Sequence, residues 1–170
     1  TALAVRGLEH LPAGPCVLVA NHSSYLDGFV LVASLARPFA FVAKRELQGQ
    51  WLVGRFLRCL GCEFVQREDA RLSVEAAGRM AERVQLGRSL LGFPEGTFVA
   101  APGLLAFHLG AFLTAARAGV PVVPVAIRGT RALLPDGRWR LRRTALAVEV
   151  CPPLLAAADA PDLFAAAARL

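Results

Sequence analysis

The 170 residues contain no uninterrupted apolar run approaching the roughly 18 that a membrane-spanning helix needs, although 55% of them are hydrophobic. Nor does the chain open on a charged segment followed by an apolar core and a cleavage site, so the sequence predicts neither a span nor a signal peptide. The four cysteines, Cys16, Cys59, Cys62 and Cys151, form no disulfide framework, which predicts a reducing compartment. Cys59 and Cys62 have the spacing of a metal or redox pair, but Cys16 and Cys151 fall in apolar strands and supply no second pair. No metal site is therefore expected. Missing too are the Gly-x-Ser-x-Gly elbow of a serine hydrolase and any helix-turn-helix, zinc-finger or RNA-stacking signature of a nucleic-acid binder. Without repeats, low-complexity tracts or linkers, the chain reads as one domain over residues 1–170, large enough to bury a core without cross-links.

What the sequence does have is an apolar excess and positive charge. A mean hydropathy of +0.49 without a span fits a greasy ligand channel or a membrane-facing surface, and equally an apolar α/β core. The net charge of +6 points to an anionic partner, such as lipid headgroups or a phosphorylated substrate. Residues 127–143 hold Arg128, Arg131, Arg138, Arg140, Arg142 and Arg143 against the single Asp136, with Trp139 and Leu141 interleaved. That pattern suits peripheral docking on an anionic membrane, or a solvated charged strand face.

Short β-branched runs alternate with amphipathic stretches. Strands are expected at 2–8, 16–20, 39–42, 62–65, 89–93, 120–127 and 145–150, and 138–142 reads as a further strand or hairpin arm. Helices are expected at 24–35, 47–59, 71–84, 106–118 and 159–170. Pro121 and Pro124 predict an irregular or edge placement for their strand. The fold class is α/β, a mostly parallel central sheet flanked by helices in a single-domain sandwich. In such folds ligands sit beyond the carboxyl ends of the strands. His22 with Asp27, Arg67, Glu95 with Gly96, and Arg128 each follow a predicted strand directly.

The stretch Cys16 to Leu31 organises this arrangement: an apolar strand stops at Asn21-His22, and Ser24 with Asp27 three positions on reads as a helix start. On one continuous helix residues five apart point roughly 140° from each other, so a His22–Asp27 hydrogen bond requires His22 to precede the helix and fold back. Asp27 then either orients His22 as a general base or simply caps the helix. Arg67 offers a planar fork for phosphate or is a solvated surface residue. Glu95 could accept from substrate hydroxyls and Gly96 lets a ligand approach the backbone, unless the two merely form a turn.

These residues also resemble a known family. Asn21-His22-Ser23-Ser24-Tyr25-Leu26-Asp27 resembles the His-x4-Asp motif of the glycerolipid acyltransferases, the group containing glycerol-3-phosphate and 1-acylglycerol-3-phosphate acyltransferases. Phe64-Val65-Gln66-Arg67 is similar to their second block, Phe93-Pro94-Glu95-Gly96-Thr97 to their third, and Val120-Pro121-Val122-Val123-Pro124-Val125 to their fourth. The resemblance implies acyl transfer from acyl-CoA or acyl carrier protein to a hydroxyl of a phosphorylated glycerol or lysophospholipid such as 1-acylglycerol-3-phosphate. It implies His22 as base, Asp27 as its orienting partner, and Arg67, Glu95, Gly96 and Thr97 around the acceptor. It implies no metal, no cofactor beyond the acyl donor, no nucleic-acid partner, and a peripheral place on the cytoplasmic side of a membrane. Phe98 stands where members commonly have Arg, and His108 where a basic residue is common. The N-terminal membrane-associating helices of many members are not within these residues, so the chain is read as a domain cut from a longer protein. A non-catalytic lipid-binding or regulatory domain on the same scaffold is the alternative.

Overall fold

The run Val17–Ala20, buried at every position, becomes the second strand, β2, at the middle of the sheet. A computed structural model describes residues 2–49, 51–59, 61–65, 70–99, 101, 103–135 and 140–155. The strands are β1 (Leu3–Arg6), β2 (Val17–Ala20), β3 (Ala40–Lys44), β4 (Glu63–Val65), β5 (Leu90–Gly92), β6 (Val122–Arg128) and β7 (Leu146–Val150). The helices are α1 (Asp27–Ser34), α2 (Trp51–Cys59), α3 (Ala70–Gln85), α4 (Gly110–Ala118) and α5 (Thr130–Leu133). The sheet runs β1-β7-β6-β2-β5-β3-β4, and β6–β7 is its antiparallel pair. The expected α/β class with a mostly parallel sheet is the observed one.

Alternation along β2 assigns its two faces. Cys16, Leu18 and Ala20 pack with Val30, Leu31 and Leu35 around α1, while Val17 and Val19 pack with Ala76, Ala77, Met80, Phe112 and Leu113 of α3 and α4. Both faces being covered explains why the strand is unbroken by polar residues. The mutually parallel strands β2 to β6 point their carboxyl ends, and whatever follows them, at one rim of the sheet, while β1 and β7 run the other way.

Several boundaries differ from expectation for physical reasons. Helix α1 begins at Asp27 rather than Ser24, because the Asp27 carboxylate accepts the backbone N–H groups of Ser23 and Ser24 while Ser24 Oγ donates to Leu134 O. Helix α4 begins at Gly110 rather than Ala106, because Leu105 and His108 donate their N–H groups to Glu95 and to Pro94 O instead of into a helix. The stretch 47–59 divides into a 3-10 turn, Arg45–Gly49, and α2. Strand β6 is not at an edge, since it lies between β2 and β7; its irregularity is confined to the pairing around Pro124, where the register shifts by one residue to the isolated Val122–Leu154 bridge. Its Pro124 carbonyl accepts Cys151 N–H just past the end of β7, and the nitrogen of the same residue faces the same side. The missing proline N–H thus costs a single rung, just past the last residue of β7, and pairing resumes at Val122 and Leu154. Residues 140–143 form no strand; they are exposed, and Arg142 N–H donates to Leu133 O. The expected helix 159–170 and Arg67 lie outside the described residues.

Candidate active site

At the exit of β2 the chain is pinned on three sides. Asn21 leaves the strand with its side-chain amide aligned on β6: Nδ2 donates to Ile127 O at 3.0 Å and Oδ1 accepts Ile127 N–H at 2.7 Å. The amide thereby continues the β2–β6 ladder by one rung. His22 comes next, outside the helix, and its Nδ1 lies 2.8 Å from Asp27 Oδ2. The fold-back demanded by the spacing is present. Its backbone N–H donates to Glu95 Oε1 at 2.7 Å, which ties the exit of β2 to the turn after β5.

The imidazole is 20% exposed and the Asp27 side chain is fully buried. Asp27 Oδ2 also accepts the N–H groups of Ser23 and Ser24, at 2.6 and 2.9 Å. Its other oxygen, Oδ1, is buried with no hydrogen-bond partner among the described residues. Ser23 Oγ is paired with Thr130 Oγ1 at 3.0 Å, and both residues are buried, so neither serine of the turn is presented as a nucleophile. The imidazole is stacked on Phe93, with ring centroids 4.2 Å apart, and meets the edge of Phe98 at 4.6 Å. Tyr25, largely exposed, packs its edge against Phe98.

Phe93 and Pro94 also wall a cavity of about 400 Å³ between the sheet and helices α3 and α4. Apart from Ser73, Thr114 and His108, its lining is apolar, with Val17, Val42, Met80 and Leu113 among the contributors. Phe93 therefore touches the imidazole and also borders a greasy chamber of ligand-binding size.

The expected site residues divide into three groups. His22, Asp27 and Glu95 meet directly. Gly96 has φ 73° and donates its N–H to Phe93 O, closing the turn that aims Glu95 at His22; Thr97 is exposed beside it. Arg128 ends β6 but pairs with Glu149 on β7 at 3.8 Å, not with the His22 cluster. Sequence reasoning missed Asn21 and the Phe93 stack. An amide at a strand exit was a usable signal for the first, since it can replace a backbone rung. The second depends on β2 and β5 being neighbours, which no local pattern reveals.

No group of three or more histidine, cysteine or acidic side chains suited to a metal ion occurs among the described residues. The four cysteines are unpaired. Burial pushes the Cys62 thiol up to about 12 and raises that of Cys16, which marks both as inert thiols.

The sequence profile described as Acyltransferase matches residues 2–128. The chain is 38% identical over 135 residues to the chloroplastic 1-acyl-sn-glycerol-3-phosphate acyltransferase BAT2 of Brassica napus, covering 78% of this chain and 39% of that one. It is also 38% identical to the lyso-ornithine lipid O-acyltransferase of Pseudomonas aeruginosa, covering 79% of this chain and 51% of that one. It thus spans about two-fifths to one-half the length of these relatives. Among solved structures it is similar to the 1-acyl-sn-glycerophosphate acyltransferase PlsC from Thermotoga maritima, with a TM-score of 0.73 and 29% identity over 91% of this chain and 62% of that one. With the profile covering most of the chain and the His22–Asp27 pair in place, this protein belongs to the acyltransferase family.

Proposed function

We propose that the chain transfers a fatty acyl group from an acyl thioester, acyl-CoA or acyl carrier protein, to a hydroxyl of a lysophospholipid such as 1-acylglycerol-3-phosphate. The observation that carries this reading is a partly exposed imidazole whose Nδ1 is 2.8 Å from a wholly buried carboxylate. With the Nδ1 proton directed to Asp27, the lone pair of Nε2 is the one left for chemistry. As the acceptor oxygen attacks the thioester carbon, its proton passes to Nε2. Collapse of the tetrahedral adduct breaks the C–S bond, and the imidazolium returns the proton to the departing sulfur. Ester and thiol replace alcohol and thioester with no change of oxidation state. Asp27 holds the ring in the required tautomer and stabilises its cation while it exists.

The apolar cavity supports seating the acyl chain against Phe93, with the thioester carbon then close to the imidazole. We assign the acceptor's phosphate to Arg67, whose guanidinium fork matches it, and its approach past the backbone to Gly96 and Thr97. The names of the relatives support a lysolipid acceptor and leave both donor types in play. We place the protein peripherally on a membrane, at its cytoplasmic side.

Acyl transfer measured with a panel of lysolipids, each with acyl-CoA and with acyl carrier protein, tests the reading. His22→Ala should lose roughly 100-fold to 10,000-fold in turnover with its unfolding midpoint preserved, the range for a missing general base. Wild-type turnover by the folded variant would remove His22 from the chemistry. No transfer by the wild type to any acceptor would return the domain to lipid binding.

A further inference from the structure

Glu95 is 3% exposed, yet both of its carboxylate oxygens are engaged: Oε1 accepts the backbone N–H of His22 at 2.7 Å and Oε2 that of Leu105 at 2.8 Å. We propose that Glu95 is a positioning residue, whose carboxylate fixes the backbone at His22 and fastens residue 105 to it, and that it does not touch the acceptor. This rests on the reading of His22 as the general base.

Three features of the fold support it. First, β2 ends at Ala20, so the N–H of His22 has no place in the sheet ladder and needs another acceptor. A carboxylate is the strongest one available, because hydrogen bonds to an ionised group are about twice as strong as those between neutral groups. Second, Pro94 is buried behind Glu95, and Gly96 closes the turn at φ 73°, so the backbone rather than a mobile side chain aims the carboxylate at β2. Third, an acceptor hydroxyl could reach oxygens this deeply buried only by displacing the groups that cover them. The same carboxylate that would make a good ligand for a hydroxyl is already used to hold the imidazole's own backbone.

The consequence is specific. Asn21 secures the residue before His22 to β6, Asp27 holds the ring, and Glu95 holds the amide between them. Releasing one of these lets the imidazole shift relative to the reacting carbon, and a displacement of about 1 Å costs on the order of 100-fold in rate. That loss belongs to turnover, not to acceptor affinity. It should also appear when water replaces the lipid hydroxyl.

Glu95→Ala and Glu95→Gln are compared with wild type by varying the acceptor, and separately by following thioester hydrolysis with no acceptor present. Glu95→Ala should reduce kcat and hydrolysis in parallel, on the order of 100-fold, with acceptor KM unchanged. Glu95→Gln keeps one accepting oxygen and should fall between. A raised acceptor KM with kcat and hydrolysis intact would overturn the proposal and make Glu95 an acceptor ligand. Amide hydrogen exchange on the wild type needs no variant to fold: the His22 and Leu105 amides should be strongly protected. Exchange of either at the rate of an exposed loop would overturn the clamp. Full activity in His22→Ala would instead defeat the base on which the idea rests, whereas failure of the Glu95 result alone leaves that base standing.

Discussion

At Asp27 one oxygen accepts from the His22 ring and from the N–H groups of Ser23 and Ser24, so a single carboxylate both starts α1 and orients the imidazole. Asp27→Asn separates the two functions. The amide oxygen can still receive backbone N–H groups, and the change should cost about 1 to 3 kcal/mol of stability, the range for disturbing a buried hydrogen-bonded group. For the chemistry the amide is a poor substitute, because it can select the wrong imidazole tautomer and carries no charge to balance the cation. Turnover should fall about 100-fold to 10,000-fold, and His22→Ala/Asp27→Asn should be little worse than either single variant, since the two act as one unit. Additive losses, with the unfolding of all three variants followed in parallel, would show that the two residues act independently. This pair was legible in the sequence because its partners are five positions apart and the strand-turn-helix pattern fixed how they meet. The Glu95 clamp was not: 73 residues separate its carboxylate from His22, and only the β2–β5 pairing joins them.

Elements were read well where hydrophobic period and burial agree, as in β2, whose every residue is covered. They were misread where a hydrogen bond overrode local preference. Prolines argued for an irregular or edge strand, yet β6 lies inside the sheet because the Pro124 nitrogen costs only one rung, just past the end of β7. Apolar spacing argued for a helix from Ala106, yet bonds to Glu95 and Pro94 keep that stretch out of the helix until Gly110. The packing of α3 and α4 on the sheet leaves the apolar cavity, and Gly92 on β5 lines it. A side chain there would follow Leu90 onto the α3–α4 face, and its Cβ would meet nothing closer than Val42 Cβ at 3.9 Å. Gly92→Val therefore adds methyl groups to open space in a strand that favours β-branched residues. The variant should fold at least as stably as wild type, and its preference in acyl transfer should move to shorter chains. An unchanged chain-length profile in the folded variant would mean that the acyl chain lies elsewhere.

On the scale of the molecule, no described helix is long and apolar enough to cross a membrane, yet the proposed lysolipid acceptor resides in one. The rim around His22 has the composition for docking on lipid. Tyr25, Val99 and Leu141 are exposed, as are Arg140, Arg142 and Arg143. Hydrogen bonds join these parts: Arg131 donates to the carbonyls of Val99 and Ala101, Arg142 N–H to Leu133 O, and Ser24 Oγ to Leu134 O. The basic segment thus returns to α5, which itself touches the turn carrying His22. Each basic residue close to an anionic surface contributes about 1 kcal/mol, so replacing Arg140, Arg142 and Arg143 by Ser should weaken vesicle binding roughly 100-fold. Sedimentation with vesicles of anionic and of zwitterionic lipid measures this, and added salt should weaken wild-type binding, since exposed charges are screened beyond about 10 Å at 0.1 M. If these arginines set where the protein sits on the membrane and the proposed proton transfer to His22 is independent of them, transfer to a short-chain, water-soluble acceptor should be preserved in the triple variant. Unchanged binding to anionic vesicles would show the basic segment to be solvated surface and leave the exposed apolar rim to dock alone.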